Sequence, residues 1–190
     1  MEPAAYLTGQ LLIALSAIGD PRFDRAVALI FAHDADHAMG LVLNRRLEGL
    51  RLGEVLEQLG LPSPESRRLE PVLIGGPVQP ERGFVIHSDD FRANDGATLL
   101  APGGLACTPT REALEAISRD TGRPSQSRLV LGYAGWGPGQ LEEEIRRNVW
   151  LTCPADQEIV FETPESKVWT AALARLGVDP SLLTSEAGQA

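Results

Sequence analysis

The sequence has 190 residues, 43% hydrophobic and 23% charged, the balance of one soluble globular domain, which excludes a disordered chain. Its 26 acidic and 17 basic residues leave a formal charge of −9, which argues against direct nucleic-acid binding, since such proteins present a basic surface to phosphate. No apolar run approaches the roughly 20 residues that span a bilayer, and no basic segment precedes Leu11–Leu15, so a cytoplasmic protein without membrane span or secretory signal is expected.

Leu11–Leu15 and Val27–Phe31 are the first predicted strands, apolar runs of strand length bounded by turn residues. His33-Asp34-Ala35-Asp36-His37 then carries metal-ligand residue types. Two histidines four apart suit a metal on a helix face, whereas this stretch enters a loop before the next strand, Gly40–Leu43, so no metal or cofactor is expected. Leu52, Val55, Leu56 and Leu59 share one helical face, and Gly60 closes that helix. Leu61–Arg68 reads as a loop. The strand Val72–Ile74 ends in Gly75-Gly76-Pro77-Val78, a tight turn rather than a phosphate cradle, because no helix follows directly. Beyond the strand Phe84–Ile86, His87-Ser88-Asp89-Asp90 sets the residue types of a hydrolase triad side by side. Neighbours on an extended chain point to alternate faces and cannot form the relay, and no Gly-x-Ser-x-Gly elbow occurs.

Thr108-Pro109 predicts a helix start, with threonine as N-cap and proline in the first turn, running through Leu114 and Ile117. Cys107 beside that start is either a packing residue or a thiol made acidic by the helix N–H groups. Asp120–Arg128 is a predicted loop and Leu129–Leu131 a strand. Gly132 to Gln140 is the most unusual stretch, with four glycines around Tyr133 and Trp136. Such glycines let backbone approach backbone or a ligand, and the aromatics serve as core anchors or as walls of a site. A helix follows through Leu141 and Ile145, with Glu142, Glu143 and Glu144 near its positive end and Arg146-Arg147 near its negative end. Val149–Leu151, leading to a buried Cys153, and Ile159–Phe161 complete the predicted strands. The last helix follows Thr163-Pro164, buries Trp169, Ala172, Leu173 and Leu176, and stops at Gly177. Residues 1–6 and 185–190 are expected to be loose ends of a single domain spanning 1–190. The single lysine, Lys167, excludes a Gly-Lys-Ser/Thr phosphate loop. Strands outnumber helices without alternating with them, so an α+β domain with a mixed sheet is expected rather than a doubly wound fold.

Several segments form an ordered set. Leu7-Thr8-Gly9-Gln10 precedes Leu12-Ile13-Ala14, and Asp20-Pro21-Arg22-Phe23 follows. Next come Ala38-Met39-Gly40-Leu41-Val42-Leu43-Asn44-Arg45 and Gly75-Gly76-Pro77-Val78 with Arg82-Gly83-Phe84-Val85. Gly132-Tyr133-Ala134-Gly135-Trp136 with Gly139-Gln140-Leu141-Glu142 closes the set. This order and spacing resembles the YqgE/AlgH family of bacterial proteins, from about Leu7 to the C-terminus. That family usually follows Asn-Arg with proline, where Arg46 stands here. The resemblance implies one α+β domain with a bent, partly barrel-like mixed sheet surrounded by helices, in a cytoplasmic bacterial protein with no established reaction. Some relatives are described as transcriptional regulators, and the −9 charge favours regulation through a protein or small-molecule partner.

Two functions compete. The first is a non-enzymatic regulatory or binding domain whose site unites Asn44, Arg45, Gly75, Gly76, Tyr133 and Trp136 around a small anionic group or an acidic or C-terminal peptide. The second is a hydrolase or transferase with His87 or His33 as general base near Asp20 or Asp89. A thiol redox sensor at Cys107 is a third. Geometry separates them: the enzyme needs a histidine within reach of a nucleophile or water in a cleft. The binding domain needs Arg45 and Trp136 in one concave site, each partly exposed. If Arg45 instead caps a carboxylate of the chain itself, such as Glu142 or Glu143, its role is structural.

Overall fold

The computed structural model describes residues 6–15 and 18–183, so the expected loose ends, apart from the exposed Tyr6, lie outside the described residues. In chain order the elements are β1 (Gln10–Ala14), a 3-10 turn Pro21–Phe23, β2 (Val27–His33), β3 (Ala38–Val42) and β4 (Arg46–Arg51). Then follow α1 (Leu52–Gln58), β5 (Pro71–Ile74), β6 (Val78–Ser88), β7 (Leu99–Ala101), β8 (Leu105–Thr108) and α2 (Arg111–Ile117). β9 (Ser127–Trp136), α3 (Gln140–Arg146), β10 (Trp150–Pro154), a π-helical segment Glu158–Glu162, α4 (Glu165–Arg175) and α5 (Pro180–Leu183) complete the chain. Among the described residues no helix is long and apolar enough to cross a membrane.

The strands join into one curled, half-barrel sheet of order β10-β1-β2-β3-β9-β6-β8-β7, antiparallel throughout. β5 lies parallel to β9 and antiparallel to β4, which makes the sheet mixed. This is the bent α+β architecture that the resemblance implied.

Period-two alternation builds both faces. Leu11 and Ile13 of β1 with Val27, Leu29 and Phe31 of β2 enter the core that α4 covers with Val168, Trp169, Ala172 and Leu173. Leu12 and Ala14 with Ala28 and Ile30 point the other way, toward Trp136, Leu141 and Trp150. Because both faces are covered, these strands read as continuous apolar runs rather than as an alternation. A third cluster seats α1 and α2 on Val72, Val85 and Leu129.

β9 is the strand on which the curl turns. Its N-terminal half pairs with β6 and β5, and Ala134–Trp136 pairs with β3. Between the halves Gly132 takes a φ of +72°, and an alanine Cβ there would stand 2.5 Å from the Gly76 carbonyl oxygen. Only glycine tolerates both that backbone and that approach.

Several sequence expectations are corrected. Ile159–Phe161 lies in the π-helical segment, not in a strand; the Asp156 carboxylate accepts the Ile159 N–H (3.1 Å) and starts the turn. Three apolar residues in a row suit either a buried strand or a buried helical face. Thr108 ends β8, and α2 begins three positions later at Arg111, after its N-cap Thr110. Cys107 is therefore inside a strand and wholly buried, away from any helix start. Leu176 is 39% exposed rather than packed with Trp169. β4, β7 and β8 went unpredicted: β4 is polar and mostly exposed, β7 has three residues, and β8 runs into a proline. At the family's proline position Arg46 opens β4, and its guanidinium holds Glu165 at 2.7 Å.

Candidate functional site

The turn Pro21–Phe23, the β5–β6 turn and the start of α3 border a groove of about 690 Å³ that reaches Phe23, Pro77, Trp136, Gln140, Glu144 and Trp150. Beside it lies a hollow of about 270 Å³ lined by Phe23, Val42, Arg45, Ile74, Gly76 and Pro77. Arg22, Phe23 and Pro77 line both, so the two adjoin.

Glu144 organises the groove floor. One carboxylate oxygen accepts the indole N–H groups of Trp136 (2.9 Å) and Trp150 (2.8 Å), and the other accepts from Gln140 (2.9 Å). The two indoles meet edge to face at 6.1 Å, and Phe23 meets Trp150 likewise at 5.9 Å. A carboxylate that satisfies two indole donors fixes both rings and lets them wall a site without an unpaired polar atom. On the rim, Asp20 pairs with Arg22 at 2.7 Å, and that guanidinium holds the Asp20 carboxyl below its ordinary range.

The predicted site residues divide. Arg45, Gly76 and Trp136 border the groove or its hollow. Trp136 is 5% exposed with its indole N–H on Glu144, and it lines the groove while Arg45 lines only the hollow, so the expected site in which both are partly exposed is not formed. Asn44 spends its amide on the fold: Oδ1 accepts from the Val27 N–H and Nδ2 donates to the Arg25 carbonyl, both at 2.9 Å. Gly75 is buried, donating to the Leu131 carbonyl (2.8 Å) and accepting from Val42 (2.9 Å). Tyr133, three positions before Trp136, points to the opposite face and meets Phe84 edge-on at 5.9 Å. Arg45 caps the Asp24 carbonyl and not a carboxylate; Glu142 is bonded to His33, and Glu143 to Arg146 and Arg147. Sequence reasoning missed Phe23, Glu144 and Trp150 as wall residues. The three consecutive glutamates read equally well as helix-dipole charges, and only the fold shows that Glu144 faces inward.

Neither histidine proposed as a general base stands in a cleft with its aspartate. His87 is fully buried. Its Nδ1 lies 2.8 Å from the Ser88 carbonyl, which can only accept, so Nδ1 carries the proton and Nε2 accepts from the Thr108 hydroxyl at 2.9 Å. Thr98 donates to Thr108 (2.8 Å) and accepts from the Ala93 N–H (2.9 Å), so every member of the chain is satisfied. His33 accepts the Leu7 N–H at Nδ1 (3.0 Å) and meets Glu142 at Nε2 (2.9 Å), tying the N-terminal segment to α3. Asp20 and Asp89 are bonded to neither imidazole among the described residues. His37 pairs with Asp34 at 3.0 Å in the β2–β3 turn, and among the described residues no three His, Cys, Asp or Glu gather closely enough to hold a metal. Burial pushes the Cys107 thiol far up rather than down, which removes the thiolate that redox sensing needs.

Burial lowers the His87 pKa from its ordinary 6.5. The unfolded imidazole therefore binds a proton below about pH 6.5 while the folded one stays neutral, so the contribution is complete above that pH and lost as pH falls. The unfolding free energy from urea titrations should drop between pH 7 and 5, by no more than about 1.4 kcal/mol per pH unit for one group. A His87→Gln protein, less stable at neutral pH, should show a flatter dependence over that window; an unchanged slope would assign the effect to other groups.

A family model described as AlgH-like matches residues 11–181. A UPF0301 protein of Caulobacter vibrioides is 50% identical over 189 residues, covering 100% of this chain and 96% of that protein. A UPF0301 protein of Rhodospirillum rubrum is 46% identical over 186 residues, covering 97% and 95%. The solution structure of the AlgH protein from Pseudomonas aeruginosa superposes with a TM-score of 0.78 at 44% identity, covering 100% of this chain and 99% of that one. A crystal structure from Corynebacterium diphtheriae, 23% identical with a TM-score of 0.69 and covering 92% and 90%, shares the fold.

Proposed function

This chain belongs to the AlgH-like family, and on that premise we propose that it is a non-enzymatic binding protein that takes a short segment of a partner protein. The segment lies along the groove, with an apolar side chain between Phe23, Val42, Ile74 and Pro77 and a carboxylate on Arg45. The observation that carries this reading is the apolar hollow at Arg45, which adjoins the larger groove through Arg22, Phe23 and Pro77. Among the described residues Arg45 spends one nitrogen on the Asp24 carbonyl, which leaves most of its donor fork for a carboxylate. Around the larger groove Asp20, Glu143 and Glu144 stand against Arg22 and Arg147. Such mixed charge suits a peptide better than a small free anion. The −9 net charge makes any effect on transcription indirect, through that partner.

The test is a comparison of proteins retained by the immobilised chain and by its Arg45→Ala and Phe23→Ala variants, followed by calorimetric titration of the recovered partner's segment. Arg45→Ala should weaken that segment's binding about tenfold or more. Its melting temperature should barely move, since one solvent-accessible hydrogen bond contributes about 1 kcal/mol. Equal binding by wild type and both variants would overturn the reading. A large loss of stability in Arg45→Ala would make that residue structural.

A further inference from the structure

A second concavity, of about 460 Å³, opens where the Pro64–Glu70 turn, the start of β9 and the π-helical segment meet, and it shares no lining residue with the groove. We propose that it binds a mononucleotide: Arg67, Arg123 and Arg128 take the phosphate, Phe161 takes the ring, and Gln126 reads an N–H of the base.

In a chain of net charge −9, three guanidiniums line this one cavity against one lining carboxylate, Glu70. Two of them are held rigid. Arg67, with its side chain 11% exposed, donates to both oxygens of Glu70 (2.6 and 2.7 Å) and to the Ser127 hydroxyl (2.8 Å). Among the described residues its Nη1 makes no hydrogen bond. The turn that carries it is itself anchored, since the Leu52 and Gly53 N–H groups donate to the Glu70 and Arg68 carbonyls. Arg128 donates Nη1 to Glu165 and Nη2 to the Phe161 carbonyl, both at 2.9 Å, and keeps Nε. Glu165 also serves Arg46 at 2.7 Å, so this carboxylate is divided between two cations and neutralises neither alone. Arg123 is exposed and unpaired among the described residues. Two further carboxylates stand behind the lining, both occupied by protein donors. Asp90 accepts from Ser88 (2.6 Å) and from the Ser125 N–H (3.0 Å), and Glu162 accepts from the Gln126 amide (3.5 Å).

Guanidiniums fixed by their own partners, with unused N–H groups remaining, are preorganised for a multivalent oxyanion. Two such groups, joined by the exposed cation of Arg123, suit a phosphate dianion better than a single carboxylate. The lining also holds Gln126, whose buried Oε1 has no donor among the described residues; a nucleobase N–H would satisfy it once the side chain turns toward the cavity. The half-buried Phe161 supplies a flat apolar surface on which a base can stack. The volume lies in the range of small-molecule sites.

The full chain, labelled with ¹⁵N, is titrated with 5′-AMP, adenosine and inorganic phosphate in separate experiments. With 5′-AMP, the amides of Ser125, Gln126, Ser127 and Arg128 should shift saturably. Adenosine and phosphate should each bind about tenfold more weakly or worse, because each keeps only part of the contacts. Arg123→Glu should weaken 5′-AMP binding about tenfold or more with an unchanged melting temperature, as this exposed side chain makes no hydrogen bond or ion pair among the described residues. The proposal is overturned by absence of saturable shifts at millimolar 5′-AMP, by shifts confined to the groove, or by affinity unaltered in Arg123→Glu. Phosphate binding as tightly as 5′-AMP would leave an anion site only and overturn the nucleotide assignment.

Discussion

Gly76→Ala should cost the protein about 4 kcal/mol or prevent it from accumulating in folded form, the range reserved for backbone clashes and severe overpacking. An alanine Cβ at Gly76 would stand 2.2 Å from the Tyr133 carbonyl carbon, 2.3 Å from its oxygen and 2.4 Å from the Ala134 nitrogen. All three are main-chain atoms, so no side-chain rotation relieves the contact. The strand they belong to is fixed on both flanks, by β3 at Ala134 and by β6 at Tyr133. Relief therefore requires parting β5 from β9, with loss of the hydrogen bond from the Gly75 N–H to the Leu131 carbonyl (2.8 Å). Urea denaturation measures the effect, with Gly49→Ala as the control for positive-φ strain alone, since nothing lies within 4 Å of a Cβ there. A Gly76→Ala protein as stable as this control would mean that the chain after β5 can move away from β9 at little cost.

Trp169→Ala comes next in size, with an expected loss of about 3–5 kcal/mol. The ring is 7% exposed and sits on α4 with Val168, Ala172 and Leu173 against β1 and β2. Its Nε1 donates to the Ala14 carbonyl at 2.9 Å, and the Arg25 guanidinium covers its face at 5.2 Å. Truncation thus removes the packing, the hydrogen bond and the cation contact together. Trp169→Phe retains most of the packing and should lose much less. A loss below about 1 kcal/mol for the alanine variant, typical of a surface position, would show that α4 contributes little to the core.

Helices with a capping or charge signature were legible in the sequence. α1, α3 and α4 form around the predicted apolar positions and end near Gly60, Arg146 and Gly177. Most interior strands were legible too, because burial on both faces leaves unbroken apolar runs such as Val27–Phe31. The polar edge strand β4 was not legible, since its place is set by pairing with β5 and not by its own pattern. At the site, Gly75 and Gly76 read as a tight turn and as candidate ligand contacts; what lies against them is the backbone of β9. Tyr133 and Trp136 were grouped because they are near in sequence, and alternation along the strand separates them. Arg67 and Arg128, 61 positions apart in the numbering, carry no local signature that would bring them into one cavity. Only the tertiary fold does that.

The position of β9 between the two halves of the sheet also governs how the chain can assemble. β3, β5 and β6 all precede β9, and each has a backbone edge that β9 alone completes. As the polypeptide leaves the ribosome, those edges stay open until residues 127–136 have emerged. Up to then the hairpin β2–β3 and the pair β6–β8 share no common strand. Joining the two pieces thus requires one segment to enter between them, a long-range contact of the kind that slows folding, and β10 closes the other end of the sheet on β1 only afterwards. The same geometry leaves unpaired strand edges exposed during synthesis, the condition under which nascent chains join one another instead of themselves.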